Sequence, residues 1–164
     1  MKFHFTFFLL VSLIKSNPGD LIDFNFQNRI SVNSISNLIG NLASSLGFES
    51  FNLDYSINIY DIHYESTNVY GTLDTLSGLI CIPESNIKSF PIIGYQHGTQ
   101  LLDSSAPSSA GISLSGLNNN LETSLIGLIT ASSGFISIIP DYEGLGNSEK
   151  FHPYIVEESY VNSL

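Results

Sequence analysis

Apolar and polar positions divide the chain into segments of two distinct periods. Ile35, Leu38, Ile39, Leu42 and Leu46 recur at helical spacing, and Gly47 follows where a helix would stop, so Ser34–Leu46 is predicted as an amphipathic helix. The pattern then changes to alternation. In Ile57–Ser66, Tyr60, Ile62 and Tyr64 share one face, with Asp61, His63 and Glu65 opposite, which predicts a half-buried strand near a sheet edge. Gly71–Pro83 ends in a continuous apolar stretch and reads as a more enclosed strand. Pro91–Gln96 and Phe135–Ile139 read as a third and a fourth strand. Between those two lies a predicted helix, with Asn119 as its cap, Glu122 three residues later, an apolar stripe of Leu121, Leu125, Leu128 and Ile129, and Gly134 at its close. Pro153 is predicted to open a last helix, with Val156, Tyr160 and Leu164 on one side.

A helix linking two apolar strands implies a crossover and parallel pairing. The predicted class is therefore α/β, with a mostly parallel sheet, an antiparallel N-terminal strand pair, and only the first four strands and first helices of a larger fold. A small all-β domain is the rival architecture, supported by the many strand-like runs and opposed by the stripe over 121–129.

The extreme N-terminus bears on the compartment. Lys2 precedes an apolar run from Phe5 to Ile14, broken only by Thr6 and Ser12, and Lys15-Ser16-Asn17-Pro18-Gly19 ends it. About ten apolar residues are too few to span a bilayer, which takes about 20 as a helix, but they suit a signal-peptide core. Residues 1–16 are read as a signal peptide and 17–164 as the exported portion of one domain, extracellular or periplasmic; a buried N-terminal strand or helix is the alternative. No second apolar run is long enough to span a membrane. Without residues 1–16, three basic residues face fifteen acidic ones, a net charge of −12, which disfavours nucleic acid and anionic membranes as partners. The lone Cys81, inside Leu79–Ile82, reads as a small core residue.

Chemistry in an open parallel sheet gathers at the carboxyl ends of its strands. Two loops leave strands there: Tyr95-Gln96-His97-Gly98-Thr99-Gln100, and Pro140-Asp141-Tyr142-Glu143-Gly144-Leu145-Gly146-Asn147-Ser148. Together with Phe151-His152-Pro153-Tyr154 behind them, and Ser77-Gly78-Leu79-Ile80 before, they resemble secreted α/β-hydrolases of the esterase and lipase type, from about Gly19 onward. In that family a His-Gly turn follows the third strand and an Asp-Tyr-x-Gly-x-Gly-x-Ser loop the fourth. The resemblance implies acyl transfer through a tetrahedral oxyanion, which preorganised N–H donors stabilise. One donor would come from the loop after the third strand, so the resemblance gives an oxyanion-hole role to Thr99 and Gly98. His97 and Asp141 would brace that loop, since the family's catalytic His lies late in the chain and Asp141 is not in the position of its acid.

The family's nucleophile sits in Gly-x-Ser-x-Gly after the fifth strand. No serine here has glycines two positions to either side; the nearest match, Gly111-Ile112-Ser113-Leu114-Ser115, lacks the second glycine and reads as a loop. No catalytic nucleophile, acid or His is therefore assigned. Gly144-x-Gly146 lacks the third glycine of a dinucleotide fingerprint and the lysine of a P-loop. The histidines at 4, 63, 97 and 152 show no metal-ligand spacing, and neither metal nor cofactor is expected. The expected function is that of a front portion of a secreted serine hydrolase acting on a small-molecule or lipid ester; a non-catalytic binding module of the same architecture is the alternative.

Overall fold

The structure, a computed structural model, describes residues 16–47, 51–87, 89–114 and 120–163. The leader read over residues 1–16 thus lies outside the described residues except for Ser16. The described residues hold five strands and four α-helices, in the order β1 (Leu21–Ile30), α1 (Val32–Leu46), β2 (Ile57–Thr67), β3 (Leu73–Pro83), β4 (Ile92–Gly94), α2 (Pro107–Ala110), α3 (Leu121–Ser132), β5 (Ile136–Pro140) and α4 (Glu157–Asn162).

The strands form one sheet in the order β1-β2-β3-β5-β4. β1 pairs with β2, β2 with β3, and β3 with β5, all antiparallel; β4 and β5 alone are parallel. The expected antiparallel early pair and the parallel pair joined through a helix are both present, but the sheet as described is mostly antiparallel. Parallel neighbours require a crossover, and among the described residues the segment carrying α2 and α3 supplies one, between β4 and β5. β3 meets β5 closely: a Cβ on Gly78 would lie 2.7 Å from the Ile139 carbonyl oxygen. Nothing bulkier than hydrogen fits there without displacing backbone.

β1 was not among the predicted strands. Its residues do alternate, with Ile22, Phe24 and Phe26 against Asp23, Asn25 and Gln27. Phe24 and Phe26 pack edge-on against Tyr60 at centroid distances of 6.0 and 5.5 Å. The strand forms one edge of the sheet, and Arg29 Nε donates to Glu84 Oε1, just past the end of β3, at 3.0 Å.

The helices explain which side of the sheet is dry. In α1, Ile35, Ile39 and Ala43 are buried; Ser31 caps its start through the Ser34 N–H at 3.2 Å, and Gly47 ends it at φ +74°. α1 and α3 enclose Ile57, Ile59, Leu79, Cys81 and Ile139 in one core. Gly127 allows α3 its close approach, because a Cβ there would stand 2.7 Å from Ile112 Cδ1 and 3.2 Å from Cys81 Sγ. Cys81 is wholly buried, as its apolar neighbours implied. The sheet's other face bears Phe24, Tyr60, Ile62, Tyr64, Ile80 and Ile138 around an open groove of about 500 Å³.

Two boundaries differ from expectation. The cap of α3 is Asn120, whose side chain accepts from the Thr123 N–H at 3.1 Å, while Asn119 lies outside the described residues. That shift of one residue removes Glu122 from the capping position. Pro153 does not open α4: Ile155, a β-branched residue at φ +65°, interrupts any helix between it and Glu157. Within α4, Tyr160 turns inward against Tyr142, whereas Val161 is exposed. Leu164, expected on the same side as Tyr160, lies outside the described residues.

Candidate functional site

The 95–100 and 140–148 loops leave neighbouring parallel strands at their carboxyl ends, and the structure brings them together. Tyr142 joins them. Its hydroxyl donates to the His97 carbonyl at 2.8 Å, and its ring stacks on the His97 imidazole at 4.2 Å. His152 lies 6.2 Å from Tyr142 with its ring nearly parallel, and Tyr160 is edge-on to Tyr142 at 4.8 Å. Burial, with the neighbouring Tyr160 and Glu122, pushes the Tyr142 hydroxyl up to about 12, so it remains a donor at any ordinary pH.

His97 is buried, and its Nδ1 lies 2.8 Å from the Gly98 carbonyl oxygen. A carbonyl only accepts, so Nδ1 carries the proton. Gly98 and Thr99 are exposed at the turn. The Gly98 N–H donates to Glu122 Oε1 at 3.3 Å, and the Tyr95 hydroxyl donates to the same oxygen. The Thr99 N–H has no hydrogen-bond partner among the described residues. Of the two residues given an oxyanion-hole role, Gly98 has its N–H engaged by a carboxylate, and the N–H of Thr99, the expected donor, is unengaged among the described residues.

Asp141 is completely buried. It accepts from Ser77 Oγ at 2.7 Å, from the Ser108 N–H at 2.9 Å and from Ser108 Oγ, and its own N–H donates to the Ser77 carbonyl at 2.8 Å. Burial raises its carboxyl above the ordinary aspartate value, opposed by the Ser108 and Ser77 hydroxyls, the Ser108 N–H and the charge of His97. Its hydrogen bonds thus tie β3 and α2 to the end of β5, rather than reaching the 97–98 turn. Gly146, at φ +63°, leaves room for the carboxylate, and the Asn147 N–H reaches Ser77 Oγ at 3.0 Å.

The other described histidines, His63 and His152, have hydrogen-bond partners of their own. His152 Nδ1 donates to the Glu143 carbonyl at 2.5 Å. His63 faces Asp23 through Nδ1 and Asn147 through Nε2. Among the described residues, no group of His, Cys, Asp and Glu is placed to hold a metal ion. No helix there is long and apolar enough to cross a membrane. Sequence reasoning named Glu122 only as part of a helix cap and Ser77, Tyr142 and Tyr154 only within motifs, and gave no site role to them or to Ser108. A serine inside the apolar run of β3 was the one local signal among them.

No family model matches the chain, and no curated protein matches it. Solved structures do. A candidate hydrolase from Legionella pneumophila superposes with a TM-score of 0.70 at 26% identity, over 87% of this chain and 36% of that one. The rice cell wall degrading esterase LipA from Xanthomonas oryzae gives 0.65 at 22% identity, over 89% of this chain and 36% of that one. Candida antarctica lipase A in its closed state gives 0.50 at 16% identity, over 90% and 31%. The five-stranded mixed sheet with its helices therefore has the fold of part of an esterase- or lipase-like hydrolase. The chain spans about a third of the length of each of these proteins.

Proposed function

We propose that residues 17–164 are the front portion of an exported serine hydrolase acting on carboxylic esters, small or lipidic, and that residues 1–16 are its signal peptide. Thr99 would supply one oxyanion donor from its backbone N–H, with Gly98 allowing the turn. His97 would brace that turn directly, and Asp141 would do so through the segments it joins. The observation carrying this reading is the open Thr99 N–H at the carboxyl end of a parallel strand, on a fold otherwise met in esterases and lipases.

A tetrahedral oxyanion is stabilised by donors fixed before charge develops. A turn tied down at its carbonyls meets that requirement without reorganising. The nucleophile would come from a segment outside these residues, since no Gly-x-Ser-x-Gly occurs among them. The test is the intact mass of the native product together with the reading frame past codon 164. A longer product with a Gly-x-Ser-x-Gly serine should hydrolyse p-nitrophenyl esters. In it, Thr99→Pro, which deletes the N–H, should lower kcat roughly 10²–10³-fold, the usual loss for one oxyanion donor. A frame without that serine would remove the enzyme reading.

The missing nucleophile favours a second reading, a non-catalytic binding module. It requires a 164-residue product that is monodisperse and unfolds in one cooperative transition on its own. Among the described residues β4 is paired on one side only, and that edge together with exposed Ile92 weighs against such behaviour.

A further inference from the structure

The hydrogen bonds of the 97–100 turn fix more than its position. A peptide unit is planar and trans, so its C=O and N–H point in opposite directions. The unit joining His97 to Gly98 is held at its carbonyl by the Tyr142 hydroxyl at 2.8 Å, and its N–H emerges on the other side, onto Glu122. The next unit is held at the Gly98 carbonyl by His97 Nδ1 at 2.8 Å. Its N–H, that of Thr99, must therefore point away from the buried imidazole. Two residues later, the Tyr154 hydroxyl donates to the Gln100 carbonyl at 2.8 Å. Two tyrosine hydroxyls from the segment after β5 thus grip the turn on either side of Thr99. The turn already receives one anion, the Glu122 carboxylate.

We propose that Tyr142 and Tyr154 are positioning residues, which hold the 97–100 turn so that the Thr99 N–H faces outward as a preformed anion donor. This rests on the reading of Thr99 as an oxyanion donor, but its geometry is measurable without turnover. Tyr142 acts through both its hydroxyl and its stack on His97, while Tyr154, half-buried, acts through its hydroxyl. Replacing each by phenylalanine keeps the ring and deletes only the donor.

The experiment is ¹⁵N backbone relaxation on the native product, at the full length its reading frame gives, and on its Tyr142→Phe and Tyr154→Phe variants. In the parent, the Gly98, Thr99 and Gln100 amides should have order parameters of about 0.85, as rigid backbone does, and in each variant they should fall below about 0.6. The amides of β2 and β3 should not change. A tyrosine that merely stabilised the fold would lower the urea midpoint and leave the order of these three amides intact. Should Tyr142→Phe fail to fold, Tyr154→Phe carries the test. A turn already flexible in the parent, or one equally rigid in a folded phenylalanine variant, overturns the proposal. Ordered amides that loosen as expected, in a protein whose longer product hydrolyses no ester, would sink the esterase reading and leave this one standing.

Discussion

Gly144→Ala should be among the most damaging single-methyl changes in the chain, and Gly47→Ala provides its control. Both glycines are left-handed, at φ +80° and +74°. A side chain in that region costs about 1–2 kcal/mol at either position. The alanine also restricts the unfolded chain, which returns about 0.4–1 kcal/mol in both cases. What differs is the space. A Cβ on Gly47 meets nothing within 4 Å, whereas on Gly144 it falls 2.6 Å from the Phe151 carbonyl carbon and nearer still to the His152 nitrogen. Those are backbone atoms, so no rotamer change relieves the overlap, and overpacking of this kind adds about 1–3 kcal/mol. Gly47→Ala should thus destabilise by about 1 kcal/mol and Gly144→Ala by about 2–4 kcal/mol. The second figure is a large part of the roughly 5–15 kcal/mol typical of a domain. Equilibrium urea unfolding followed by tyrosine emission suits a chain with eight tyrosines and no tryptophan. Equal losses for the two variants would refute the claim that the 144–152 contact, rather than backbone conformation, makes Gly144 irreplaceable.

Asp141→Ala should cost about 3–5 kcal/mol in the same assay, because it strands the Ser77 and Ser108 donors in a buried site, and Asp141→Asn should cost less by keeping an acceptor. The pH dependence has a definite sign. Burial raises this carboxyl in the folded chain above the ordinary 3.8, so the folded state holds a proton that the unfolded state has released. Its contribution to stability is then greatest below 3.8 and declines as pH rises through the raised value. A stability difference between the parent and Asp141→Asn that instead grows with pH would contradict that assignment. Burial pushes the Cys81 thiol up to about 12 from 9.0, so at a pH of about 8.5 a disulfide reagent should label it only as fast as the chain opens. Labelling at the rate of a free thiol, with no added urea, would show that Cys81 is reached in the native state.

Local patterns were legible and distant partners were not. α1 could be read from Ile35, Ile39 and Gly47 because a 3.6-residue stripe and its stop lie within one short window. The misplaced cap of α3 illustrates the limit of such reading. With Asn119 and Asn120 adjacent, either could accept from the first turn, and the Asn120 side-chain N–H bond to the Ser105 carbonyl at 2.7 Å anchors the one that does. The antiparallel join of β3 to β5 depends on pairing Gly78 with Pro140, 62 positions on, which no periodicity announces. Both strand-end loops were recognisable at the site because their glycines and histidine are contiguous. The partners of Asp141 were not, since Ser77 and Ser108 lie 64 and 33 residues away. Only the fold makes them neighbours.

These distant contacts also couple the two loops. The Glu143 carbonyl, immediately before Gly144, receives His152 Nδ1, and His152 lies parallel to Tyr142, which in turn holds the His97 carbonyl. The two hydrogen bonds of this series are short and buried, so the 97–100 turn takes its orientation from the 140–154 segment together with its own His97 imidazole. A His-Gly dipeptide alone permits many directions for the next N–H. The direction here is selected by His97 Nδ1 on the Gly98 carbonyl and by two donors that arrive 45 and 54 residues after the carbonyls they hold. It follows that the crowding introduced by Gly144→Ala should reach beyond stability, to the order of the Thr99 amide. Gly47→Ala, at the end of α1 and outside this chain of contacts, should leave that amide as it was.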